Sequence, residues 1–334
     1  MAAPQNHPNK NLTQKPKLSS NVCFMRKLPA RLAGLGVLLG LLSGCTYASE
    51  MIGVDQPGGA GQSIGPGSNS GVELPVVREV PEIAAMVPDA VRADGMLTIA
   101  TELTYAPMAF VGADGRSAVG MDIDIANAVA AVMGLTPQNM SSSFDAIIPS
   151  LGTRYELGVS AFTVTGPRID AVNMISYLEA GSQLAVRVGN PAGVNPDDLC
   201  GVAIAVQIGT VQQDDLEAMN RGVCSDNPVS IFPYDSQADA TANLVGGRVA
   251  AMFADSPIIG YAVTQTEGAL EEFGPIMDAA PYGMVVAKPD VEFAKAVHAA
   301  VQYLIDSGAM AQIAEHWGNS QMLITQSELF TRAG

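Results

Sequence analysis

The 334-residue sequence predicts an α/β fold with largely parallel sheets. Short apolar runs of strand type alternate with segments of helical period between about residues 95 and 317. Such alternation is what helices packed on a mostly parallel sheet require. Hydrophobic residues make up 48% of the chain and charged residues 15%, which suffices for a sizeable core and argues against wholesale disorder. The length accommodates two ordinary domains, and no repeat of fixed period interrupts the pattern.

Leu97-Thr98-Ile99-Ala100 opens the folded part as a strand, followed by a helix over 122–133 with Ile125, Val129 and Met133 spaced by four. A short helix is expected over 144–151 and a strand over 157–161. A second set begins with the buried-strand run Val202-Ala203-Ile204-Ala205-Val206, then helices over 211–220 and 236–246 and a strand over 249–253. Gly283-Met284-Val285-Val286 reads as a strand, and helices near 290–306 and 308–317 complete the order.

Charge is unevenly placed. The formal net charge is −16, but residues 1–44 hold six basic residues and no acid, so the remainder carries 11 basic against 33 acidic residues, a net of −22. A body this acidic repels nucleic acid and anionic lipid surfaces. Within the basic leader, residues 32–44 (LAGLGVLLGLLSG) form an apolar run of 13 residues, short of the roughly 20 that span a bilayer. A basic stretch, a short apolar run and small residues before a cleavage point are the pattern of an export signal. Leu42-Ser43-Gly44-Cys45 resembles the bacterial lipobox, which implies lipidation of Cys45; an uncleaved anchor helix is the plainer alternative. Residues 53–71 are rich in Gly, Ser and Pro and suit a flexible tether within 45–92. Gly61-Gln62-Ser63-Ile64-Gly65 matches G-x-S-x-G formally but lacks the strand and helix a nucleophile elbow needs. With Cys23 in the leader and Cys45 at the lipid site, Cys200 and Cys224 remain as an even pair in an oxidising compartment, where a disulfide is expected. No CxxC and no histidine cluster suggests a metal, and no cofactor is implied.

Six segments, in order, carry a resemblance. Gly120-Met121-Asp122-Ile123-Asp124-Ile125, running into a helix, is similar to the signature of family 3 extracellular solute-binding proteins, with Met121 where an aromatic or branched residue is usual. Thr104-Tyr105-Ala106-Pro107, Phe144 to Leu151, Thr163-Val164-Thr165-Gly166-Pro167-Arg168, Gln207-Ile208-Gly209-Thr210 and Gly247 to Asp255 resemble further family segments, the last with Ala250 replacing a usual Asp. The likeness spans about 95–320. It implies a two-lobed periplasmic-binding-protein-like fold of type II, hinged at two strand crossings, with lobe I over 93–182 plus 285–334 and lobe II over 187–280. It implies a monomer, held outside the cell membrane by its lipid, that passes an amino acid to an ABC permease.

The resemblance also implies a ligand site. Arg168, a planar fork suited to a carboxylate, would bind the α-carboxylate of an amino acid with help from Thr163. Asp255 would accept the ammonium, although Asp255-Ser256-Pro257 also reads as an ordinary helix start. Thr210 and Val211 would offer the N-terminus of the following helix. Tyr105 and Phe144 would flank the ligand side chain, beside Ala161, and Glu102 would meet a polar or cationic end group. The plainer readings are core packing for the two aromatic residues, an exposed loop acid for Glu102, and a surface pairing with Asp170 or Glu179 for Arg168. An exported dehydratase-like enzyme on the same fold and a sensing module are the competing classes. No cleft histidine, phosphate loop or metal constellation supports the enzyme, and the absence of a following transmembrane segment argues against the sensor.

Overall fold

The computed structural model describes residues 71–332. The signal segment 1–44, Cys45 and the tether as far as residue 70 lie outside the described residues. Two one-turn helices, α1 (Pro81–Ala84) and α2 (Asp89–Arg92), lead into β1 (Met96–Thr101). Next come a small antiparallel sheet of β2 (Thr104–Tyr105), β3 (Ala109–Val111) and β4 (Ala118–Val119), then α3 (Met121–Val132), β5 (Thr136–Ser141) and α4 (Phe144–Ser150). β6 (Leu157–Thr163), α5 (Gly166–Ala171) and the 16-residue β7 (Val172–Arg187) follow. The middle of the chain forms β8 (Ala203–Gln207), α6 (Val211–Arg221), β9 (Ser230–Tyr234), α7 (Gln237–Val245), β10 (Ala251–Asp255) and α8 (Ser256–Gln265). The 18-residue β11 (Leu270–Ala287) returns to the first half, which closes with α9 (Val291–Asp306), α10 (Ala309–His316), a 3-10 turn (Ser320–Met322) and β12 (Leu329–Phe330).

All strands except β2–β4 belong to one sheet of order β5-β1-β6-β11-β7-β10-β8-β9, with β12 added on β7. The sheet is continuous because β7 and β11 run antiparallel to each other through both halves of it. At one end Tyr282 to Val286 of β11 pair with β6; at the other Ser182 to Val186 of β7 pair with β10. The β5-β1-β6 and β10-β8-β9 groups are each parallel, as the sequence predicts, but the crossings make the whole sheet mixed. The predicted helices are present within a residue or two of the expected bounds, and the strand expected over 249–253 lies at 251–255.

Two glycines show how the turns hold. Gly120 precedes α3 at φ +137°, and a Cβ there would lie 2.2 Å from the Met108 carbonyl oxygen, so the helix start and the 107–109 backbone pack without a side chain between them. Gly209 sits at φ +78° between β8 and α6, where a Cβ would come within 3.3 Å of Asp145 in the other half.

Leu184, Ile204, Leu216 and Phe253 centre a core of the second half that also takes in Cys224. Cys200 and Cys224, 24 positions apart, are joined by a disulfide that fastens the loop before β8 to the turn after α6. Cutting it frees a loop whose closure contributes about 3 kcal/mol in the chain-entropy model. A Cys200→Ser/Cys224→Ser variant is therefore expected to unfold at lower denaturant, with a slope at least as steep because the released unfolded chain exposes more surface; an unchanged midpoint in equilibrium melts would refute this contribution.

Candidate functional site

In open α/β sheets, loops at the carboxyl ends of parallel strands offer unpaired backbone groups and helix N-termini to a ligand. Here β6 ends at Thr163, β8 at Gln207 and β10 at Asp255, while α4, α6 and α8 start at Phe144, Val211 and Ser256. A small cavity at this junction is lined by Tyr105, Phe144, Ala161, Thr163 and Arg168 from the first half and by Thr210, Val211, Gln212 and Asp255 from the second. The structure thus gathers every expected ligand residue except Glu102, and adds Gln212. A separate cavity of about 680 Å³ beside β7, β11 and α8 shares none of these residues, and its two acids, Glu179 and Glu272, are exposed. Buried charge singles out the smaller one.

Arg168 lies in α5, whose N-cap Thr165 accepts from the Arg168 amide. Its side chain does not join the surface pairing open in the sequence: Asp170 pairs with Arg332 instead, at 2.7 Å. One guanidinium nitrogen donates to the Thr163 carbonyl (2.8 Å) and the other to the Gly209 carbonyl across the junction (3.0 Å). The group also lies 5.6 and 5.5 Å from the ring centres of Phe144 and Phe162, which stack at 4.6 Å. A guanidinium has five N–H donors, so two carbonyls leave capacity for a carboxylate. Burial depresses the Arg168 pKa, opposed chiefly by the Asp255 charge.

Asp255 does occupy the N-cap position of α8, with Pro257 in the first turn, but its side chain makes no cap bond. The carboxyl accepts from the Tyr105 hydroxyl and from the Gln212 amide, both at 2.7 Å. The Tyr282 hydroxyl faces the same carboxyl, but its geometry falls short of a hydrogen bond and leaves it unpaired. Burial raises the Asp255 pKa, and these hydroxyl and amide donors together with Arg168 hold the rise in check.

The remaining residues differ in part from expectation. Thr163 contributes its carbonyl to Arg168, and Tyr105 is committed through its hydroxyl to Asp255. Thr210 caps α6, accepting from the Gln213 amide and donating to the Gln207 carbonyl. Glu102, in the loop between β1 and β2, is 5% exposed, so it is no exposed loop acid, yet it is not among the residues lining the cavity. One of its oxygens accepts from the Thr104 amide (3.0 Å); the other is buried without a partner beside the Gln207 side chain, whose own oxygen is also unpaired. Gln207 stood within a segment of the resemblance but without a role, and Gln212 had no signal in the sequence, since its partners Ser182 and Asp255 lie 30 and 43 positions away. Among the described residues no group of three or more His, Cys, Asp or Glu side chains is placed to hold a metal ion.

A two-lobed α/β fold with oppositely charged groups meeting at the strand ends defines a receptor for a small polar solute. A family model confirms the class: residues 97–320 match the bacterial extracellular solute-binding proteins, family 3, and the chain belongs to that family. It is 33% identical over 266 residues to the arginine-binding protein ArgT of Corynebacterium glutamicum, covering 78% of this chain and 86% of that one. Among solved structures it is similar to an ancestral arginine-binding protein bound to arginine (28% identity, TM-score 0.63, 67% of this chain and 98% of that one). It is also similar to an ancestral amino-acid-binding protein described as a precursor of cyclohexadienyl dehydratase (26%, TM-score 0.60, 69% and 98%).

Buried acids set a pH dependence. Burial raises the pKa of Asp122 to about 7 and raises those of Glu102, Asp124 and Asp255 as well. In the unfolded chain these groups ionise near pH 4, so between about pH 4 and 7 the native state binds more protons and stability rises as pH falls. Asp122 alone accounts for about 4 kcal/mol over its shift, at about 1.4 kcal/mol per unit. Exposed Asp114, held down at about 2 by the Ser117 hydroxyl, acts in the opposite sense only below that window. The ligand-free protein is expected to melt higher at pH 5 than at pH 8, with a smaller difference in Asp122→Asn; equal slopes for the two proteins in calorimetry would refute the Asp122 share.

Proposed function

We propose that this protein is the extracytoplasmic substrate-binding lipoprotein of an ABC importer and captures a cationic amino acid, arginine foremost, by closure of two lobes. The observation that carries the reading is that Arg168 and Asp255, opposite in charge and drawn from different halves, line one cavity. Arg168 takes the α-carboxylate and Asp255 the ammonium, with Thr163, Thr210, Val211 and Ala161 around the backbone end of the ligand. Tyr105 and Phe144 flank its side chain, and the unpaired oxygen of Glu102 meets the terminal cation. The naming of ArgT and of the arginine-bound ancestral protein supports this ligand class.

Residues 93–182 with 285–334 form one lobe in this reading and 187–280 the other. The lipid on Cys45 and the segment 45–92 keep the receptor near a permease outside the cytoplasm, which drives transport with ATP. The protein acts as a monomer without catalysis of its own. Calorimetric titration against the standard amino acids tests the proposal: arginine, lysine or histidine should bind more tightly than glutamate or leucine. Arg168→Ala should weaken the bound ligand by about 3–5 kcal/mol, the cost of a buried charge left without its partner. Binding of no amino acid would overturn the reading and turn attention to a dehydratase-like reaction.

A further inference from the structure

The first acid of the Gly-Met-Asp-Ile-Asp segment has no part in the site so far, although it is fully buried. Asp122 lies in the first turn of α3, where an acid ordinarily serves the helix N-terminus. Its side chain turns elsewhere. One carboxyl oxygen accepts from the Ala161 amide at 2.9 Å and the other from the Tyr177 hydroxyl at 2.7 Å. Tyr177 is itself fully buried in β7.

Ala161 is an unusual residue to find at the end of this bond. It lines the cavity, is 4% exposed, and has φ +50° without being a glycine. The reason lies in the pairing of β6 with β11. Phe162 opposes Gly283 and Gly158 opposes Val285, so four steps along β6 face two along β11. Two residues are therefore extra on β6, and groups of Ser160 and Ala161 meet partners outside the β11 pairing. The Ser160 hydroxyl accepts from the Glu102 amide at 3.2 Å, and the Ala161 amide goes to Asp122. A bulge of this kind re-aims the backbone beside a site, and a non-glycine residue at positive φ persists only where its surroundings over-determine it.

We infer that Asp122, oriented by Tyr177, is a positioning residue for the ligand pocket: it clamps the bulged Ala161 peptide and so sets the shape of the cavity wall. The inference rests on the ligand-binding reading above. The clamp needs an acceptor behind Ala161, because a buried amide without one carries the full cost of its desolvation. Gly120 serves the same clamp, since the close approach of its backbone to Met108 seats the α3 start, with the Asp122 amide donating to the Met108 carbonyl at 2.8 Å.

Four proteins test it: wild type, Asp122→Ala, Asp122→Asn and Tyr177→Phe, each titrated with L-arginine and each followed by amide hydrogen exchange at Ala161. Asp122→Ala is expected to speed Ala161 exchange and to weaken arginine roughly tenfold or more, the scale of a lost buried acceptor. Asp122→Asn keeps an acceptor oxygen and should restore both readouts most of the way. Tyr177→Phe frees the carboxyl from one side and should cost a few-fold in affinity with intermediate exchange. Should Asp122→Ala fail to fold, Tyr177→Phe still decides the matter. Unchanged exchange at Ala161 in Asp122→Ala or Tyr177→Phe, or faster exchange there with wild-type affinity, overturns the inference while leaving the ligand reading intact. Wild-type protein that binds neither arginine nor another standard amino acid refutes the ligand reading and removes the pocket role of Asp122 with it.

Discussion

Two opposite charges from different halves of the molecule meet in one small, mostly buried space, and much of the structure is arranged around tolerating them. A guanidinium taken out of water loses hydration that must be replaced by hydrogen bonds or by an opposing charge. Arg168 has both: two carbonyls, one from each half, the aromatic faces of Phe144 and Phe162, and the field of Asp255. Asp255 is treated alike, with a hydroxyl from the first half and an amide from the second. Each bond across the junction depends on strand ends being aligned, and that alignment follows from β7 and β11 running unbroken through both halves. A third link of the same kind joins the Gln237 amide to the Thr104 hydroxyl. A zwitterion entering this space competes for the donors and acceptors that already tie the halves together.

Much of this was legible in the sequence, and the reasons are local. Helices such as 121–132 and 237–245 announce themselves by period and by capping residues such as Ser236. The cavity-lining positions were legible only because short segments resemble a known family in a fixed order; no spacing rule brings Phe144 and Asp255 together. What stayed hidden is non-local. The long strands β7 and β11 lack alternation because they change neighbours part-way, so their burial pattern is not that of one environment. The partners of Gln212 and Tyr177 lie 30 to 55 positions away, and a glutamine or tyrosine in a helix or strand says nothing by itself of what it will meet. The exposed-loop alternative for Glu102 stood open for the same reason: its burial goes with contacts to Ser160 and Gln207, far away in sequence.

The two acids of the Asp-Ile-Asp segment show how one turn of helix serves two distant ends of the fold. Asp122 reaches inward to the Ala161 bulge, while Asp124 accepts from the Trp317 indole nitrogen at 2.8 Å and so docks the turn after α10. Spaced by two on a helix, they project in directions about 200° apart, at roughly 100° per residue. The isoleucines between and after them, Ile123 and Ile125, are buried. A single short motif therefore couples the cavity wall to the packing of the C-terminal helices.

Charge balance bears on the ligand class proposed above. Glu102, Asp122 and Asp255 are all at least 95% buried around the junction, and Arg168 is the cation set among them. Their pKa values are all raised by burial, and the Asp255 charge raises that of Asp122 further. A zwitterion of zero net charge leaves that excess as it is, and an acidic amino acid adds to it in a medium that screens poorly. A ligand with a second positive charge relieves it, and it does so best where the unpaired Glu102 oxygen has no donor of its own. Under the cationic-ligand reading proposed above, the cost of holding those carboxyls away from water would be recovered as affinity when the ligand fills the space, so the same electrostatics would destabilise the empty receptor and favour the filled one.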